Sequence, residues 1–222
     1  METQRFPSGN PDLDGILGGG LEPRVITQFY GEPASGKSTL CVVIAVERLR
    51  SGRGVVFIDT EGFSIERFRQ IAGDNAEKLA ERLFLYEPSD FDQQGAMIAS
   101  ADQLCRTRDI GLVVLDSATG LYRTQLGKGR DAMQHLTRQM VLLLGLGKRY
   151  DIPVVITNQV YMDTTRNTFV GLGGTALEHI SKVIVRVERV DGFRRATLAK
   201  HRSLPAGGYF DFCINSTGIT SK

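Results

Sequence analysis

A chain of 222 residues, 41% hydrophobic and 23% charged, carries enough apolar material for a full α/β core without disulfide staples. Its net charge of +2 is too small to imply a polyanion partner from bulk charge alone. The opening "METQRFPSG" has no apolar signal core, and "MVLLLGLG", the longest strongly apolar stretch, is far too short to span a bilayer.

Read in chain order, short apolar runs alternate with longer amphipathic ones. "VITQFYG" reads as a strand and "KSTLCVVIAVERLRS" as the helix after it. "GVVFIDTEG" is a strand and "SIERFRQIAG" a helix. "DFDQQGAMIASADQLCRTRD" is a helix opened by an Asp cap, and "IGLVVLDS" the strand that follows. "DAMQHLTRQMVLLLGLGKRY" is a helix with Leu136, Met140, Leu143 and Gly147 on one face, and "IPVVITNQV" is the next strand. These strands are continuous apolar runs, so both faces of a mostly parallel sheet should be covered by helices.

The end of the chain differs. "SKVIVRVERVDGFRRATLAKHRS" alternates apolar and polar residues around Asp191-Gly192, a hairpin signature. "GYFDFCINSTGIT" supplies one more edge strand. The expectation is a single α/β domain over residues 1–222, with a C-terminal antiparallel flank. Residues 182–202 hold seven Lys/Arg against Glu188 and Asp191, so this segment carries +5 and the rest of the chain −3 of the net +2. The plainest reading of such a run is a solvated basic face. Cys41, Cys105 and Cys213 are far apart, odd in number and without metal spacing. Free thiols, buried at the first two positions, suit a reducing cytosol. The protein is expected to be cytoplasmic.

"GEPASGKST" matches the phosphate-binding loop pattern: Gly31, four residues, Gly36, Lys37, Ser38. Glycines let the backbone wrap a phosphate with its N–H groups, and the helix that follows presents its positive end. The loop, from Gly31 through Glu32, Pro33, Ala34, Ser35 and Gly36 to Lys37, Ser38 and Thr39, should hold ATP. Lys37 would reach the outer phosphates, and the Ser38 hydroxyl would bind Mg²⁺. Asp116, closing the apolar strand "LVVLD", is the second magnesium contact. Glu61, after "VVFIDT", is the candidate to orient or deprotonate water; the alternative is a surface ion pair.

"GEPASGKST", "DTEG", "LVVLDS" and "TNQV", in that order, resemble the RecA/RadA recombinase superfamily. The phrase "FPSGNPDLDGILGGGLEPRVITQFYGEPASGKS" resembles the start of the ATPase domain in archaeal RadA-type proteins. The resemblance covers nearly the whole chain and implies a RecA-like P-loop ATPase core. By position, Glu61 matches the family's catalytic glutamate and Arg67 the arginine that stacks on adenine. Gln159 in "TNQV" matches the glutamine that senses the terminal phosphate and leads into the second DNA-binding loop. That loop would be Tyr161 to Gly174, with Arg166 for phosphates and Tyr161 and Phe169 for stacking on bases; a simple lid is the alternative. The first loop would be Tyr122 to Asp131, with Arg123, Lys128 and Arg130, or else an exposed basic connection.

Lys200 and Arg202 in "KHR" resemble a pair with which related ATPases reach a neighbouring subunit's phosphates. The other reading makes them part of the basic hairpin's solvent face. The chain begins almost at the ATPase phrase, so no N-terminal helix-hairpin-helix domain is expected. No Phe-x-x-Ala tether is expected either, because Phe6 is followed by Pro-Ser-Gly. The resemblance therefore implies an accessory role in DNA repair and recombination. That role includes binding of ATP, Mg²⁺ and single-stranded or branched DNA, and weak hydrolysis without strand exchange. RadA recombinase and a Holliday-junction resolvase are the implied partners, and a homo-oligomer stays open. Two other classes compete: a KaiC- or Sms-like ATPase switch with little DNA affinity, and a mediator in which ATP only sets a conformation.

Overall fold

The computed structural model describes residues 4–163 and 168–222. The chain opens with a short helix, α1 (Pro11–Ile16), whose first turn is capped by the Asn10 side chain. It continues β1 (Ile26–Gly31), α2 (Lys37–Arg50), β2 (Gly54–Asp59), α3 (Ile65–Ala72), α4 (Ala76–Ala80), β3 (Leu83–Tyr86), α5 (Phe91–Thr107) and β4 (Ile110–Asp116). A 3₁₀ segment at Tyr122–Lys128 leads into α6 (Arg130–Tyr150), then β5 (Val154–Asp163), β6 (Thr168–Gly171) and α7 (Gly174–Ile180). The flank is β7 (Ser181–Val190), β8 (Phe193–His201), β9 (Tyr209–Asn215) and β10 (Gly218–Ser221).

Strands lie in the order β10-β9-β8-β7-β1-β5-β4-β2-β3, with β6 beside β5. The stretch from β7 to β3 is parallel, and β8, β9 and β10 are antiparallel. Every residue of β2 and β4 is buried, as continuous apolar strands require. One apolar layer joins α2 and α3 to the sheet through Leu40, Ile44, Phe68 and Phe212; the other packs α5 and α6 through Ile98, Leu136, Met140 and Leu143. Because the core strands are parallel, the C-terminal ends of β1, β2, β4 and β5 converge on one edge, where an α/β sheet binds its ligand.

The Asp90 cap of α5 is in place, its carboxylate accepting from the Gln93 N–H at 2.8 Å. The hairpin turns at Asp191-Gly192, between β7 and β8. The structure adds to the sequence reading at several places. "PDLDGI" is helical, "LFLY" is the edge strand β3, and the tail is two strands, not one. The segment after Gln159 also has regular structure: β5 runs on to Asp163 and β6 pairs back antiparallel, Tyr161 opposite Val170. Among the described residues no helix is long and apolar enough to cross a membrane. Cys41 and Cys105 are buried free thiols.

Candidate functional site

The phosphate loop joins β1 to α2 on the ligand edge. Gly36 has φ +107°, and Gly31 passes so close to β7 that a Cβ there would stand 1.9 Å from the Val187 carbonyl oxygen. No side chain fits that contact, so the loop's glycines are set by both backbone angle and crowding. The Lys37 ammonium curls back into the loop and donates to the Gly31 and Glu32 carbonyl oxygens at 2.9 and 2.8 Å. Burial pushes its pKa below the usual lysine range, against the pull of Glu61 and Asp116.

A cleft of about 360 Å³ opens over the loop. Pro33, Ala34, Gly36, Lys37, Ser38 and Thr39 line it from below, with Glu61, Arg67 and Gln159 around them. These are nine of the residues expected to hold or act on a nucleotide, brought together from the loop after β1, α2, α3, β5 and the turn after β2. Gly31, Glu32 and Ser35 belong to the loop without lining the cleft. Asp116 lies beneath, 3% exposed, accepting a hydrogen bond from the Thr157 hydroxyl, with the Ser38 hydroxyl acting on its charge from the loop side. Burial raises its pKa, and those two hydroxyls oppose the shift. A buried carboxylate near the loop serine is the hard-oxygen pair a Mg²⁺ site needs, so the residues fit that ion.

Glu61 is fixed from both sides. Its Oε1 accepts from Ser117 Oγ at 2.7 Å and from Gln159 Nε2 at 2.6 Å. Ser117 thus holds the glutamate directly. Asp59 sets the turn that carries Glu61, accepting from the Gly62 N–H at 2.6 Å. Burial pushes the Asp59 carboxyl up to about 6, with neighbouring Asp116 adding to the shift. The Gln159 amide reaches further: Arg123 donates to its Oε1 at 3.3 Å. Its backbone is clamped as well, by the Thr119 hydroxyl and the Leu172 N–H.

Arg67, anchored to the Asn215 carbonyl at 2.5 Å, reaches the rim of the cleft. Two further lining residues were not anticipated: Arg194 from β8 and Ile214 from β9.

The basic segment 182–202 does not form one solvated face. Arg186 is half-exposed and pairs with Glu188; Arg195 binds Asp211 through two bonds; Arg194 turns into the cleft. Lys200 and Arg202 do not line their own chain's cleft. The Lys200 ammonium donates to the Glu178 and Ser181 carbonyls, and Arg202 pairs at 2.7 Å with Glu22.

Of the residues expected to meet DNA, Arg123, Lys128 and Arg130 are exposed around the 3₁₀ segment and the start of α6, and Tyr161 is exposed on β5. Phe169 is on β6, paired with Met162. Arg166 lies outside the described residues. The sequence reading placed a loop at Tyr122–Asp131. The structure gives it helical form because Tyr122 is buried against Phe91, their rings 5.9 Å apart.

Comparison with known proteins decides the family, since the chain matches Rad51 over residues 2–222. It belongs to the Rad51 family. Among relatives in this family, a protein of Methanoculleus marisnigri named DNA repair and recombination protein RadB is 60% identical, aligned over 99% of each chain. A protein of the same name from Archaeoglobus fulgidus is 42% identical, again over 99% of each. The crystal structure of the RadB recombinase superposes with a TM-score of 0.82 at 38% identity, covering 96% of this chain and 97% of the other. As a Rad51-family member the chain has the RecA-like core that its strand order describes.

Proposed function

We propose that this Rad51-family chain is an accessory protein of DNA repair and homologous recombination that binds ATP with magnesium and binds DNA. It hydrolyses ATP weakly and does not exchange strands by itself. One observation carries the reading: the Gln159 side chain joins Glu61 in the cleft to Arg123 on an exposed basic segment. The same residue's carbonyl accepts from the Leu172 N–H, next to the first β5–β6 pair, Val160 opposite Gly171. An amide so placed can pass a change at the cleft to whatever Arg123 and the β5–β6 segment touch. The names and full-length identity of the RadB relatives support the recombination role.

The loop amides and Lys37 bind the phosphates, and Arg67 takes the adenine side. Ser38 and Asp116 hold the magnesium, which would screen phosphate charge and polarise the bond to be broken. Glu61 accepts a proton from water. Arg123, Lys128, Arg130 and Arg166 meet DNA phosphates, while Tyr161 and Phe169 stack on bases. RadA and a Holliday-junction resolvase are the proposed protein partners. In an oligomer, Lys200 and Arg202 would serve a neighbour's nucleotide, which requires both to leave their present contacts.

DNA binding is tested by titrating a labelled single-stranded oligonucleotide across a salt series. Four phosphate contacts predict a log–log slope of about −3, and Arg166→Ala should reduce it by roughly 0.7. Absence of binding at low salt would remove DNA from the account and leave a nucleotide switch that acts on a protein.

A further inference from the structure

We propose that Arg194 is a second phosphate-binding cation of the nucleotide cleft, supplied by the antiparallel flank of the same chain. The inference rests on the nucleotide reading above. Along β8, Ala196 and Leu198 are buried in the apolar layer against α2. Side chains two apart share a face of a strand, so Arg194 points the same way. Arg195 takes the other face, bonded to Asp211 with its guanidinium 4.3 Å over the Tyr209 ring. Arg194 is thus a cation at the one inward position of β8 that reaches past the core to the phosphate loop.

Its stem rests on the loop itself. A Cβ on Gly36 would stand 3.3 Å from Arg194 Cδ and 3.1 Å from Ile214 Cδ1. The Arg194 Nε is buried and has no hydrogen-bond partner among the described residues. Burying an unpaired guanidinium N–H costs free energy, so this one calls for a partner that the described residues do not supply. Arg67, the other arginine lining the cleft, is held at its rim by the Asn215 carbonyl. A guanidinium presents donors in a fixed fork that matches phosphate oxygens.

The loop amides cradle the inner phosphates. Arg194, stacked on the last loop glycine, meets the same ones, so it serves diphosphate and triphosphate alike. The experiment is a titration of wild type, Arg194→Ala and Arg194→Lys with fluorescent N-methylanthraniloyl ADP and ATP, alongside thermal melts. Arg194→Ala should weaken both nucleotides by about tenfold or more, with Tm near wild type. Arg194→Lys should recover a good part of the loss, because it keeps the charge but not the fork. Unchanged affinity in Arg194→Ala overturns the assignment. A loss that lysine does not relieve, accompanied by a lowered Tm, overturns it too and makes Arg194 a packing residue. If wild type binds neither nucleotide, the cleft reading itself fails and the inference falls with it.

Discussion

Glu61→Gln slows ATP hydrolysis by about 10²- to 10⁴-fold, the range that a positioned general base contributes. It leaves nucleotide affinity nearly unchanged. The separation follows from geometry. Glu61 accepts two hydrogen bonds at the same oxygen, from Ser117 and Gln159. A glutamine presents a carbonyl oxygen at that place and can accept both, so the network and the cleft survive while the proton acceptor is lost. Single-turnover hydrolysis of labelled ATP, followed for hours because the proposed hydrolysis is weak, measures the first effect; equilibrium binding measures the second. Lys37→Ala is the counterpart and should abolish binding, since Lys37 is the cation inside the loop. Equal hydrolysis by wild type and Glu61→Gln would make Glu61 a structural clasp for Gln159.

Glu22→Ala destabilises the protein by about 3 kcal/mol, which lowers Tm by roughly 6–12 °C in a chain of this size. Glu22 is 2% exposed and faces Arg5 at 2.8 Å, Arg202 at 2.7 Å and the His201 ring at 3.4 Å. Removing one carboxylate leaves three donors facing each other across a buried spot. The cost stays at the low end for a buried ion pair because Arg202 is 48% exposed and can turn to water. Arg202→Ala should cost far less, about 0–1 kcal/mol, as exposed members of ion pairs do. Thermal melts of both variants check the asymmetry; equal shifts would place the stability in Arg202 instead. The same cluster bears on function: any role for Arg202 at a neighbouring subunit competes with Glu22.

The sequence made the core strands legible for a physical reason. A strand buried on both faces has to be apolar throughout, and "VVFID" and "LVVLD" are. Their C-terminal acids then fall beside each other, Asp59 opposite Asp116, as β2 and β4 pair. The P-loop residues and Gln159 were readable because each sits within a short motif that follows an apolar run. The edge strand "LFLY" escaped because four half-buried residues carry no period. The regular structure after Gln159 escaped because polar threonines and glycines mask a strand pairing made by backbone bonds. Lys200 and Arg202 read as a motif, but their partners lie 19 or more residues away, at Glu178, Ser181 and Glu22. Arg194 had a usable signal. In "FRRATLA", alternation that buries Ala196 and Leu198 forces one of two consecutive arginines inward. What alternation did not reveal was that inward here means onto the phosphate loop, because that depends on β9 and Ile214 closing the wall.

The central claim is that Gln159 couples the nucleotide cleft to a DNA-binding face. It is tested most directly by the affinity of a single-stranded oligonucleotide with and without ATP and magnesium, for wild type and Gln159→Ala at one fixed salt concentration. The account predicts that nucleotide changes wild-type affinity by about fivefold or more, a normal coupling between two sites. Gln159→Ala should bind DNA as wild type does without nucleotide and show no response to it. A wild type indifferent to ATP, or a variant that responds as wild type does, would contradict the claim.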